Sequence, residues 1–258
     1  MCLILFAHHA TPQYKLVVIA NRDEYHQREA KPAAFWQDSP DIFGGIDCSA
    51  GGSWLSVDKK GRFAAITNIR KPPFIKDSPL SRGEIISQFL SGEQTAEEFM
   101  SELKKKDHLY GLFNLLLFDN TGLWHYSSDT HQSQAIAKGI HGLSNAHLNT
   151  PWPKLARSQA ALKQQLSSTL IDDNQLLSIM QSTERPSDGD LPNTGVSLEF
   201  ERFLSSVFIQ GDDYGTRCTT LLTIDHKNVM KFTELTYNVK GIESARVQQV
   251  INLQAPHQ

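Results

Sequence analysis

Cys2-Leu3-Ile4-Leu5-Phe6-Ala7, and after a polar break Leu16-Val17-Val18-Ile19-Ala20-Asn21-Arg22-Asp23-Glu24, form the stretch on which the fold turns. Each apolar run has the length of a strand, and the break between them is short enough for a hairpin. Pairing them antiparallel reverses the chain and lays the end of the second run beside the start of the first. A thiol and four polar side chains then share one small volume. Removal of Met1, which a small residue at position 2 permits, adds an α-amine to that volume. The amine titrates near ~8 and a thiol near ~8.5, so the amine can act as the base that activates the thiol without a histidine. The plain alternative is that Cys2 packs as a small apolar residue.

Composition narrows the class. The chain has 258 residues, 40% of them hydrophobic, which suits one domain with an ordinary core. A net charge of −3 and a pI near 6.4 leave no positive excess for a phosphate backbone, which argues against nucleic acid as partner. No run reaches the roughly 18 apolar residues of a membrane span. The apolar start has no basic leader and is broken by His8-His9, so no secretory signal is expected and a cytoplasmic location is. Cys2, Cys48 and Cys218 have no metal-ligand spacing, and each is read as a single thiol. Cys218 begins an apolar run and reads as packing, whereas Cys48 lies in a Gly-rich loop open to oxidation.

Working outward, residues 27–40 read as a long surface connection. Residues 53–57 and 62–67 form a hairpin across a turn at 58–61, ending on Asn68. Ser81 with Glu84, and Thr95 with Glu98, are capping boxes for helices over 82–90 and 95–106. Residues 112–118 and 123–127 make a hairpin across Asp119-Asn120-Thr121-Gly122, and 140–143 is a further strand reaching Ser144-Asn145. Helices are expected over 154–166, 174–180 and 198–207, with a surface loop at 182–195. Strands at 218–224 and 228–235 follow, and a frayed tail is expected after Leu253. Strands at both ends with helices between them, and no βαβ alternation, predict layered, mainly antiparallel sheets in one α+β domain spanning 1–258.

Several blocks together carry a resemblance. Met1-Cys2 with Asn21-Arg22-Asp23-Glu24, Gly44-Gly45 through Gly51-Gly52-Ser53-Trp54-Leu55, Gly142-Leu143-Ser144-Asn145 with Pro151-Trp152-Pro153-Lys154, and Tyr214-Gly215-Thr216-Arg217 resemble the NRDE family, which includes the transport and Golgi organisation 2 homologues. That family is in turn similar to the cysteine N-terminal nucleophile hydrolases of the choloylglycine hydrolase and penicillin V acylase group. The resemblance implies a four-layer αββα sandwich with two mainly antiparallel sheets, and hydrolysis of a small-molecule amide or thioester with no cofactor required. It implies Cys2 as nucleophile, Arg22 and Asp23 as the early pair with Glu24 an equal candidate for the carboxylate, Asn68 and Asn145 as the two asparagines, and Arg217 as the late arginine. An oxyanion formed on the attacked carbonyl needs positioned donors, which Asn amides supply.

The same resemblance implies a second function, a non-catalytic carrier of haem, or of lipid or acyl-coenzyme A, on the same scaffold. There His8 or His9, or Cys2, would offer an axial ligand, and Trp36, Phe43 and Trp54 would line the pocket.

Overall fold

In the computed structural model, which describes residues 2–72 and 78–253, the two opening runs are strands β1 (Cys2–His8) and β2 (Tyr14–Tyr25). They pair antiparallel with Cys2 opposite Arg22 and His8 opposite Leu16. Ile4, Phe6, Val18 and Ala20 pack into one core, and Leu3, Leu5, Val17 and Ile19 into another. Burial on both faces explains why these strands read as continuous apolar runs rather than alternating ones.

Around the pair grows a six-stranded sheet in the order β10 (Gly139–Leu143), β1, β2, β11 (Tyr214–Asp225), β12 (Val229–Tyr237), β13 (Glu243–Asn252). The second sheet has seven strands in chain order: β3 (Ala30–Phe35), β4 (Ile42–Asp47), β5 (Leu55–Asp58), β6 (Phe63–Asn68), β7 (Phe113–Asp119), β8 (Gly122–Ser127) and β9 (Gln132–Ala135). Neighbouring strands in both sheets are antiparallel. Phe6, Val18, Phe43, Val57, Phe63, Leu116 and Phe232 fill the space between the sheets. Helices α1 (Gly83–Ser91) and α2 (Ala96–Leu103) cover the outer face of the seven-stranded sheet through Ile85, Phe89, Phe99 and Met100. Helices α3 (Pro153–Leu166) and α4 (Asp173–Ile179) cover the other sheet through Leu155, Leu162, Leu166 and Leu176. The result is the expected α+β sandwich, layered αββα. Among the described residues, no helix is long and apolar enough to cross a membrane.

Several local expectations are corrected. Residues 30–35, inside the expected surface connection, are strand β3, and β9 and β13 were likewise not legible. All three lie at sheet edges, where one side of the ladder faces solvent and Pro32, Lys31 and polar residues are tolerated. Strand β4 was hidden by Gly44-Gly45, which the packing requires: a Cβ on Gly44 would lie 2.1 Å from Ser56 Oγ, and one on Gly45 2.3 Å from the Trp54 ring. The Thr95–Glu98 capping box forms, and α2 is the shorter Ala96–Leu103. The Ser81–Glu84 box does not form, because Glu84 Oε1 accepts the Tyr110 hydroxyl at 2.8 Å instead. Helix α5 (Leu198–Leu204) is shorter than expected; beyond it Phe208 turns inward and its amide donates to Ser182 O at 2.8 Å. The tail beyond Leu253 lies outside the described residues.

Candidate functional site

The register of β1, β2 and β11 assembles the site. Cys2 lies opposite Arg22, and Arg22 lies opposite Cys218. Strand pleating sends alternate side chains to opposite faces, so the four motif residues divide. Arg22 points between the sheets, with its guanidinium 4.4 Å above the Trp54 ring and Nη2 donating to Asp47 Oδ2 at 2.9 Å. Its Nη1 is buried and has no hydrogen-bond partner.

Asn21 and Asp23 face the helical layer. Asn21 Nδ2 donates to Met180 O at 2.8 Å and Val207 O at 2.9 Å, while Oδ1 accepts from the Thr219 hydroxyl at 2.6 Å, which makes Asn21 a strut. Asp23 Oδ1 accepts from the Thr216 hydroxyl at 2.7 Å. Burial raises its carboxyl above the ordinary range, against the lowering effect of Lys154 and of the Thr216 bond. Glu24 shares the Arg22 side, where its Oε2 stands 3.9 Å from Arg28 Nε.

A cleft of about 400 Å³ opens at this end of the sandwich. Cys2, Arg22, Asp23, Glu24, Trp54 and Asn68 are among its lining residues, with Arg28, Asp47 and Arg82 at its wall. Cys2 is half-buried, and burial raises its thiol pKa, as does Asp23, while Arg22 lowers it. Asp47 is the hinge of the wall. It accepts from Arg22, from Arg28 Nε at 2.7 Å and from the amides of Ser49 and Ala50 at 3.0 Å. Burial would raise its carboxyl, but the Arg28 and Ala50 bonds outweigh that and hold it below the usual range.

The two asparagines are joined to each other. Asn68, exposed at the end of β6, accepts on its carbonyl the Asn145 Nδ2 at 2.8 Å, and Asn145 itself is buried. Ser144 donates to Cys2 O at 3.3 Å and accepts on its own carbonyl the Thr67 hydroxyl at 2.7 Å, so this segment ties the two sheets together beside the cysteine. Arg217 sits at a bulge in β11 and spends Nη1 on three carbonyls, Tyr25 at 2.7 Å, Arg28 at 3.0 Å and His26 at 3.2 Å. It clasps the turn after the motif and is not among the cleft-lining residues.

Of the aromatic candidates, only Trp54 lines the cleft. Phe43 is inter-sheet core, and Trp36 packs on the outer cluster with its indole N–H donating to Gly44 O at 3.0 Å. His8 and His9 stand at the far end of β1 from Cys2, about 20 Å away at ~3.3 Å per residue. There they line a separate cleft of about 710 Å³ together with Lys15, Lys138, Phe118 and Leu253. His8 Nδ1 is 3.0 Å from Ile136 O, and burial lowers the pKa of both imidazoles. Among the described residues no group of three His, Cys, Asp or Glu is placed to hold a metal ion.

Sequence reasoning assigned no role to Lys154. It is buried in α3, donates to Leu204 O at 2.8 Å, and burial brings its pKa down to about 8 although Asp23 and Cys2 act in the opposite direction. Its signal was present in Pro151-Trp152-Pro153-Lys154, where Pro153 starts the helix and so fixes the position of the lysine.

Known proteins similar to this chain include homologs of Transport and Golgi organization protein 2. It is 28% identical over 255 residues to the Transport and Golgi organization protein 2 homolog of Bos taurus, covering 91% of this chain and 92% of the relative. It is 29% identical over 265 residues to the Homo sapiens homolog, with the same coverage. Similar solved structures include a C2A mutant conjugated bile acid hydrolase from Clostridium perfringens, at 10% identity and TM-score 0.46 over 100% of this chain and 99% of that one. Another is the Caenorhabditis elegans N-acylethanolamine-hydrolyzing acid amidase ortholog, at 8% identity and TM-score 0.44 over 86% and 92%. The family model for Transport and Golgi organisation 2 matches residues 1–239, and the chain belongs to that family.

Proposed function

We propose that the chain is a cysteine hydrolase of small-molecule amide or thioester bonds, with Cys2, freed of Met1, as its nucleophile. The observation that carries this reading is the position of Cys2 at a polar cleft, directly across the ladder from an arginine with an unused, buried Nη1. In the proposed reaction the Cys2 amine takes the thiol proton, the thiolate adds to the carbonyl, and the proton passes to the leaving amine or thiol. Water then hydrolyses the acyl-cysteine thioester and returns the free thiol. Arg22 Nη1 and the Asn68 amide are the donors proposed for the developing oxyanion. Asp23 orients the amine, and Lys154 sets the charge behind it. Asn145 and Arg217 act as positioning residues, one through Asn68 and the other through the turn at 25–28.

Because burial raises the Cys2 thiol, its reactivity depends on the base beside it. Intact mass of the purified chain is expected to show loss of Met1, and iodoacetamide to label Cys2 faster than Cys48, although Cys48 is exposed. A panel of acyl anilides and acyl thioesters is expected to be turned over by the wild type and not by Cys2→Ala. A fully retained Met1 overturns the hydrolase.

A carrier of haem or lipid is the second reading, and the cleft holding His8 and His9 favours it as a separate location. Haem titration of the full chain with His8→Ala and His9→Ala tests it, since an unchanged Soret band in both variants removes these ligands.

A further inference from the structure

Behind the Cys2 cleft, between the start of α3 and the segment leading into α5, lies a second and much smaller void. Arg70, Trp152, Lys154, Pro192, Glu201 and Ser205 are among its lining residues. Its open space of about 10 Å³ has room for a single particle of about the size of a water and none for a phosphate.

The hydrogen-bond inventory of this void is one-sided. Arg70 Nη2 donates to Glu201 Oε2 at 2.9 Å, and its amide donates to Asn145 O at 2.8 Å. Its Nε and Nη1 are buried without a hydrogen-bond partner, on a side chain only 10% exposed whose guanidinium lies 5.5 Å over the Trp152 ring. Lys154, 4% exposed, places one of its three N–H bonds on Leu204 O. Both Glu201 oxygens already accept, Oε2 from Arg70 and Oε1 from the amide of Thr194 at 2.8 Å and its hydroxyl at 2.5 Å. Ser205 gives its hydroxyl proton to Arg202 O at 2.7 Å, which leaves its own oxygen and the second lone pair of Glu201 Oε2 as acceptors facing a larger number of charged donors.

A buried N–H left unsatisfied is costly, and more so when it belongs to a cation. A water would accept from at most two of these donors, because its other two positions are protons. A halide accepts from every side, brings no proton, and offsets a buried positive charge. We infer that the Arg70–Lys154 void is a binding site for a single small monovalent anion of the halide class, distinct from the Cys2 cleft. Lys154 belongs to both surroundings, since it also acts on Asp23 and Cys2, so the anion would hold Lys154 protonated where the cleft feels its charge. The inference stands on the donors and the void and is independent of whether Cys2 is a nucleophile.

The test uses crystals of the full chain grown without chloride, soaked in sodium bromide and measured at the bromine edge. One anomalous peak is expected within hydrogen-bond reach of both Arg70 and Lys154. Density there without anomalous signal, which means a water only, or no density at all, overturns the inference. In solution, replacing gluconate by chloride at constant ionic strength is expected to raise the thermal midpoint in a saturable way, as ligand linkage requires. Arg70→Lys keeps a charge for Glu201 but removes the two unused guanidine donors, and is expected to lose that rise. An equal rise in Arg70→Lys overturns the assignment of the site. Should the variant fail to fold, the diffraction measurement on the wild type decides by itself.

Discussion

Glu234 is the residue whose chemistry is easiest to read from outside. It is buried in β12, accepts the Ala33 amide at 2.7 Å, and burial lifts its carboxyl to about 7. A carboxyl whose folded pKa lies above its unfolded value of ~4.3 binds protons more tightly in the native state, so its contribution is fully present below about pH 4.3 and is lost as pH rises through about 7. At ~1.4 kcal/mol per pKa unit the loss is on the order of 4 kcal/mol. Denaturant titrations of wild type and Glu234→Gln between pH 4 and 8 are expected to converge at the acid end and separate as pH rises, with the glutamine variant the less pH-dependent. A gap of constant size would show that Glu234 does not titrate in this window. At the same scale, the role of Arg22 was legible as a charge beside a thiol. Its stacking on Trp54 was not, because Trp54 arrives from the other sheet, and no local pattern reports an inter-sheet contact.

At the level of elements, the strands and helices with apolar faces were legible and the edges were not. The opening hairpin could be read because eleven apolar residues in two runs leave few alternatives, and α2 because Thr95 and Glu98 complete a cap. Strands β3, β9 and β13 are mostly exposed, β9 and β13 are mostly polar and β3 is broken by Pro32, so neither period nor hydrophobicity distinguishes them from loops. The glycine pair of β4 misled for the opposite reason, since it reads as a turn but serves close packing. Gly45→Ala is expected to cost about 1–3 kcal/mol by driving the Trp54 ring off Arg22, whereas Gly189→Ala, with open space around it, is expected to stay within ~0.5 kcal/mol. Chemical denaturation of the two variants checks the contrast. Thr95→Ala is expected to lose about 1 kcal/mol with the cap of α2.

For the whole molecule, the sandwich has two clefts, one near each end of β1. Cys2 and the histidines cannot grip one small ligand, so competition between a thiol-directed probe and a ligand of the His8–His9 cleft is not expected. Protection should follow the layers. Amides of β1, β2 and β11, buried between two cores, are expected to exchange slowest with deuterium, and those of β3, β9 and β13 fastest. Equal protection of centre and edge would contradict this layering. The fold class was legible from the order of elements, but the site needed three separated segments, near residues 2–24, 68 and 145, to meet. Only the resemblance linked them in advance, because spacing along a chain carries no record of which loops cross between sheets.

The pleat of β2 has one more consequence. Asn-Arg-Asp-Glu is spelled as one word but addresses two audiences: its first and third letters point toward the helical layer, its second and fourth between the sheets. Substitutions therefore sort mainly by parity, with Asn21 variants weakening the seat of the helices and Arg22 and Glu24 variants altering what the cleft accepts, while Asp23, held by Thr216 and also lining the cleft, affects both. Deleting a single residue from Leu16–Ala20 would leave every letter in place and exchange the two audiences at once.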